Sequence, residues 1–205
     1  MRASDPAIRS ALDHVILIKA HLLQLRESLT ALEDVRHSPR GVVLIRRCML
    51  DVRMVFEELM LLSVSAHGEA GDRVEQSLRK KHRADLKIRG LNELNPNFFP
   101  DAIDLVASDE PGVAGRFTSV CEPYLTVEQA KRIYFRSDQL LHASRIFMST
   151  EDFEAHRGEL IEFYGLTERL LRTFEIDISG TGFMVLGHLN LDDDAMPQVF
   201  EAQTS

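Results

Sequence analysis

Residues Ile8 to Leu32, IRSALDHVILIKAHLLQLRESLTAL, carry the pattern that decides the fold. Within them Ile8, Ala11, Val15, Ile18, Leu22, Leu25, Leu29 and Leu32 recur at alternating spacings of three and four without a miss. Each helical residue turns the chain by about 100°, so that spacing places all of them along one side of a helix. The reading is one long helix with a heptad seam, able either to close a domain core or to join two chains. Asp5-Pro6, just ahead, supplies a cap residue and a proline suited to the first helical position. His14 and His21 flank the seam on one face, seven apart. No Glu-x-x-His pair accompanies them to build a carboxylate-bridged metal site, so they read as structural.

Working outward, His37-Ser38-Pro39-Arg40-Gly41 reads as a turn. A second helix from Val42 to about Ala66 is apolar around most of its circumference. Its polar strip holds Arg47/Asp51 and Arg53/Glu57 at the i,i+4 spacing of salt-bridged pairs. After a break at 67–71 comes Arg79-Lys80-Lys81-His82-Arg83, a local basic excess in an acidic chain. From Leu91 to Tyr124, proline and glycine turn signals leave no long periodic segment, which predicts an irregular excursion packed by Phe98, Phe99 and Phe117. Ser149-x-x-Asp152 then caps a further helix. Phe153, Leu160, Phe163 or Tyr164, Leu170, Leu171 and Phe174 mark its apolar stripe, with one polar miss at Thr167. Phe174 to Ile178 switches to a period of two, and Gly180-Thr181-Gly182 with Phe183 to Leu186 completes a β-hairpin, Val199-Phe200 adding a short final strand or lying loose. The expected architecture is mostly α: a helical bundle of four to five helices over residues 1–175, with a small C-terminal β-hairpin and tail over 176–205 of the same domain.

Composition sets outer bounds. A chain of 205 residues with 44% hydrophobic and 27% charged side chains buries a core without staples. A formal net charge of -8 argues against a protein coated in basic residues for duplex DNA, so a nucleic-acid contact requires a local patch. The two cysteines, Cys48 and Cys121, form neither a disulfide framework nor a zinc ligand set. The N-terminal apolar run is too short for a signal core or a membrane span, and the expectation is a soluble cytoplasmic protein with no membrane partner.

The stretch with candidate chemistry is Leu125 to Met148, LTVEQAKRIYFRSDQLLHASRIFM. Thr126 and Gln129 form a helix start signal, and Ala130, Tyr134, Ser137, Leu141 and Met148 fall on the side expected to face the core. Asp138, His142 and Arg145 share another side, while Arg136 lies roughly 120° around from His142. A carboxylate one turn before an imidazole can hold one ring nitrogen protonated and leave the other to exchange protons. Arg136 and Arg145 add forked donors that match phosphate oxygens. Taken alone, such a face is most often a solvated, salt-bridged helix surface.

Arg136-Ser137-Asp138-Gln139-Leu140-Leu141-His142 resembles the Arg-x(4–6)-His motif of the HEPN superfamily, and Tyr134-Phe135-Arg136 and Leu141-His142-Ala143 are similar to the words around that motif. The resemblance implies a small helical bundle and a metal-independent endoribonuclease, without a cofactor, of a toxin–antitoxin or phage-defence system. It implies a homodimer in which Arg136 and His142 of two protomers meet in one composite site, with RNA and a cognate antitoxin or defence protein as partners. Arg136, His142 and Asp138 are the catalytic candidates, and Arg145, Lys80, Lys81 and Arg83 the substrate-binding ones. Ser137 stands where catalytic members often have Asn, Asp or His. His142-Ala143-Ser144 lacks the His-x-Tyr continuation of toxins silenced by a nucleotidyltransferase, so that form of regulation is not implied. The other reading is a non-catalytic helical dimer that binds protein or RNA through the seam of the first helix and the basic segment.

Overall fold

The computed structural model describes residues 5–35, 37–68, 84–107, 115–142, 148–178, 182–192 and 194–203. Among these, five helices and five strands follow in the order α1 (Asp5–Glu33), α2 (Pro39–Ala66), α3 (Ala84–Leu94), β1 (Asp101–Ala107), β2 (Gly115–Ser119), α4 (Val127–His142), α5 (Thr150–Arg172), β3 (Phe174–Ile178), β4 (Phe183–His188) and β5 (Gln198–Gln203). Lys80, Lys81, Arg83 and Arg145 lie outside the described residues.

The heptad seam closes the core of this single chain. Ala11, Val15, Ile18, Leu22, Leu25 and Leu32 are fully buried against α2, with Ile8 and Leu29 packed at the margin. Each large apolar side chain removed from water contributes roughly 1.5–3 kcal/mol, so a seam of this length is consumed in folding and is not left over for a second chain. α1 and α2 run antiparallel, as the polar contacts between them show: Ser10 meets Ser65, His14 meets Glu58, and His21 meets Asp51. Asp51 thus takes His21 as its partner, a pairing across helices that the Arg47/Asp51 spacing does not suggest. The segment read as a turn at 37–41 instead starts α2. Ser38 caps it, its Oγ accepting from the Gly41 N–H at 3.1 Å, and Pro39 occupies the first turn, where its missing N–H costs nothing.

The strands form one antiparallel sheet in the order β2-β1-β3-β4-β5, in place of an isolated hairpin. The β3–β4 hairpin stands where expected, but the 91–124 excursion adds β1 and β2, and β5 runs to Gln203. β1 is bound to β3 by only two residue pairs, and only Ala102 and Ile103 of its seven residues are buried. A strand so little buried imposes no alternation on its sequence, which is why none is legible there. Phe174, Ile176 and Val185 carry one face of the sheet into the helical core. Opposite Phe174 in the ladder stands Gly187, where a Cβ would meet the Phe174 ring at 2.0 Å.

Polar ties join the helices to the sheet and to the segment that follows β4. His67, at the end of α2, donates from Nδ1 to the Ser63 carbonyl at 2.6 Å, which leaves Nε2 to accept from Asn95 Nδ2 at 2.9 Å. Asn95 Nδ2 also donates to the Asp177 carbonyl of β3 at 2.7 Å. The buried Lys19 of α1 donates to the Asp192 and Ala195 carbonyls beyond β4. No described helix is long and apolar enough to cross a membrane.

Candidate functional site

Helix α4 begins as its sequence directs. The Thr126 N–H donates to Gln129 Oε1 at 2.9 Å, and the Gln129 N–H donates to Thr126 Oγ1 at 3.3 Å, a reciprocal capping box. Ala130, Ile133, Tyr134 and Ser137 form its buried side, and the buried Ser137 hydroxyl donates to the Tyr134 carbonyl at 2.7 Å. Anchoring that face turns two others outward. One, toward α2, bears Asp138 and His142. The other, toward α5, bears Arg136.

Asp138 and His142 come together: His142 Nε2 lies 3.4 Å from Asp138 Oδ1. The same oxygen accepts from Arg53 Nη1 of α2 at 2.7 Å. Arg53 also donates from Nε to Glu57 Oε1 at 3.0 Å and lies over the Tyr134 ring, 5.4 Å from its centroid. The Tyr134 hydroxyl reaches Glu57 Oε1 at 3.4 Å; burial, then the Glu57 charge, raise its pKa and keep it a neutral donor. Arg53 is therefore the hub that fixes Asp138. Its spacing to Glu57 was legible in the sequence, its reach to Asp138, 85 positions away, was not. The His142 side chain is 74% exposed.

Arg136 is held apart from that pair. Its Nη1 forms an ion pair with Glu159 Oε1 of α5, with the Arg136 side chain 45% exposed. The second oxygen of Glu159 lies 3.5 Å from His156 Nδ1. Burial, then the charge of Arg136, lower the His156 pKa from its ordinary 6.5, while Asp152 acts in the opposite sense. Sequence reading missed Glu159 and His156, although His156, three residues after Phe153 and four before Leu160, falls within the apolar stripe of α5, and a polar residue there was the signal that could have found it; Glu159 flanks that stripe. A single chain thus joins Asp138 with His142, and Arg136 with Glu159 and His156, without joining Arg136 to His142.

A cavity of about 640 Å³ lies between the sheet and the start of α4. Asp101, Glu175 and Asp177 line it, and burial, then the charges of Asp101 and Asp177, raise the Glu175 pKa. Its charge has the wrong sign for phosphate. Among the described residues no group of three or more His, Cys, Asp or Glu is arranged to hold a metal ion. Comparison of the chain with family models, curated proteins and solved structures gives no match.

Proposed function

We propose that the protein is a metal-independent endoribonuclease of HEPN type, acting as a homodimer in a toxin–antitoxin or phage-defence setting. The observation that carries this reading is the outward presentation of Arg136 and His142 on one helix, with Asp138 fixed by Arg53 beneath the imidazole. A twofold partner laid against α4 brings Arg136 of one chain to His142 of the other, a pairing that the fold of one chain keeps apart. There His142 transfers a proton to or from the ribose-phosphate linkage, and Arg136 neutralises charge developing on the phosphorus oxygens. Asp138 orients His142. Attack by the 2′-hydroxyl leaves a cyclic 2′,3′-phosphate and a 5′-hydroxyl.

The second reading, a non-catalytic dimer that acts as a binding module, draws on the exposed Phe135 beside Arg136. It can no longer use the α1 seam, which is buried. The experiment that separates the two is incubation with RNA in EDTA, wild type beside Arg136→Ala and His142→Ala. Cleavage by wild type alone supports the enzyme. A folded dimer that cleaves nothing, or variants that cleave as wild type does, overturns it.

A further inference from the structure

Helices α4 and α5 both pack against α2, and a cleft separates them. The Arg136–Glu159 ion pair spans this cleft. On one side of the bridge lies a narrow pocket, and on the other a groove of about 350 Å³, lined by Arg136, Gln139 and Leu140 of α4 and by Asp152, Ala155 and His156 of α5. We infer that an RNA phosphodiester seats in this groove, with Arg136 meeting the phosphate and His156 acting as the base that takes the proton of the 2′-hydroxyl. The inference rests on the ribonuclease reading above and deepens it by naming the second proton-transfer group.

The two walls suit the two ends of a ribose-phosphate. The α4 wall offers guanidinium donors to phosphate oxygens; the α5 wall offers acceptors to hydroxyl protons. One carboxylate organises both. Glu159 gives one oxygen to Arg136 and places the other 3.5 Å from His156 Nδ1, and these last two atoms are buried without a hydrogen bond. Shortening that gap makes Nδ1–H the donor to Glu159, and Nε2 is then the basic nitrogen. Burial, then Arg136, hold the ring toward its neutral form at pH 7, the form a base requires. Asp152, the other acid facing His156, accepts from Ser149 Oγ at 2.7 Å and stays at the helix cap.

The step balances. The 2′-hydroxyl proton passes to His156, the O2′–P bond forms, the P–O5′ bond breaks, and the leaving 5′-oxygen takes a proton from His142 of the partner subunit. Both histidines then return to their starting states through solvent. This division leaves His142 the acid.

The test has two arms. In the first, RNA cleavage by His156→Gln is compared with wild type, the expected loss being about 10²–10⁴-fold, the usual share of a general base. Wild-type cleavage that persists in His156→Gln overturns the inference and leaves the ribonuclease reading standing. In the second, the histidine ring signals of the full-length wild-type dimer are followed by NMR while a 2′-deoxy dinucleoside monophosphate, which lacks the attacking hydroxyl, is added. The His156 signals are expected to move and its titration midpoint to rise beside the phosphate, and Arg136→Ala to abolish both changes. Unmoved His156 signals at saturating ligand overturn the inference even where wild type is inactive on RNA, the result that overturns the ribonuclease reading by itself. Because the second arm uses wild-type protein, it decides the matter even where the His156→Gln chain fails to fold.

Discussion

Two regions where the chain sets a histidine beside a carboxylate differ in what surrounds the pair. Between α1 and α2, His14–Glu58 and His21–Asp51 have carboxylates only 10% and 8% exposed. On α4, His142–Asp138 has the same two groups at 74% and 45% exposure. Taking a carboxylate out of water makes its partner a structural necessity, whereas an exposed pair is worth little to the fold and remains free to meet a ligand. Neither the residue types nor the helical spacing separates a histidine paired in the core from one left exposed. The neighbouring helix does.

The largest expected effect tests the exposed side of that contrast. Arg136→Ala and His142→Ala should each lower RNA cleavage by about 10²–10⁴-fold. Unfolding stability should stay within about 1 kcal/mol of wild type, because exposed ion pairs contribute no more than that. Parallel rate and urea-denaturation measurements check both halves; a large stability loss in either variant would erase the distinction.

Next in size is the buried side. His14→Ala leaves the Glu58 carboxylate buried without its 2.7 Å partner and should cost about 1.5–3 kcal/mol of stability, with per-dimer cleavage unchanged where the protein is folded. A variant as stable as wild type would show that the buried pairs are as dispensable as exposed ones.

The pH dependence sharpens the same contrast through sign. His156 has a folded pKa below its ordinary 6.5, so as pH falls below that value the unfolded chain takes up the proton first and stability is lost. Asp51, raised above its ordinary 3.8 chiefly by burial, does the reverse: the folded chain protonates first, and acidification through its folded pKa relieves a cost. His156→Gln should therefore flatten the loss on acidification just below pH 6.5. Asp51→Asn should remove the relief at lower pH. Denaturation curves across that range reveal slopes of opposite sign, or contradict the assignment. The smallest effect is that of Asp138→Asn, expected within about 1 kcal/mol of wild-type stability, because the carboxylate is half exposed, yet slowing cleavage by loosening His142.

How far the sequence was legible follows from the same physics. The α1 seam, the caps of α4 and α5 and the β3–β4 pairing are local, and each was readable from spacing and cap chemistry. Thr167, the break in the α5 stripe, is fully buried because its hydroxyl returns to the Phe163 carbonyl at 2.7 Å, a local solution that polarity alone conceals. β1 and β2 escaped because their outer halves are exposed on both faces. The partners of Asp138 and Arg136 escaped because Arg53 and Glu159 come from other helices, and no pattern along one helix encodes what its neighbour presents. The motif named Arg136 and His142; tertiary packing supplied Arg53, which holds Asp138 beside His142, and Glu159, which holds Arg136.

The measurement that tests the central claim most directly is RNA cleavage in EDTA by an equimolar mixture of the Arg136→Ala and His142→Ala chains, unfolded and refolded together. If Arg136 of one protomer works with His142 of the other, two inactive chains form mixed dimers with one intact site. Random pairing then restores about a quarter of wild-type activity. A mixture as inactive as its components, from variants that fold and dimerise beside an active wild type, would contradict the composite site.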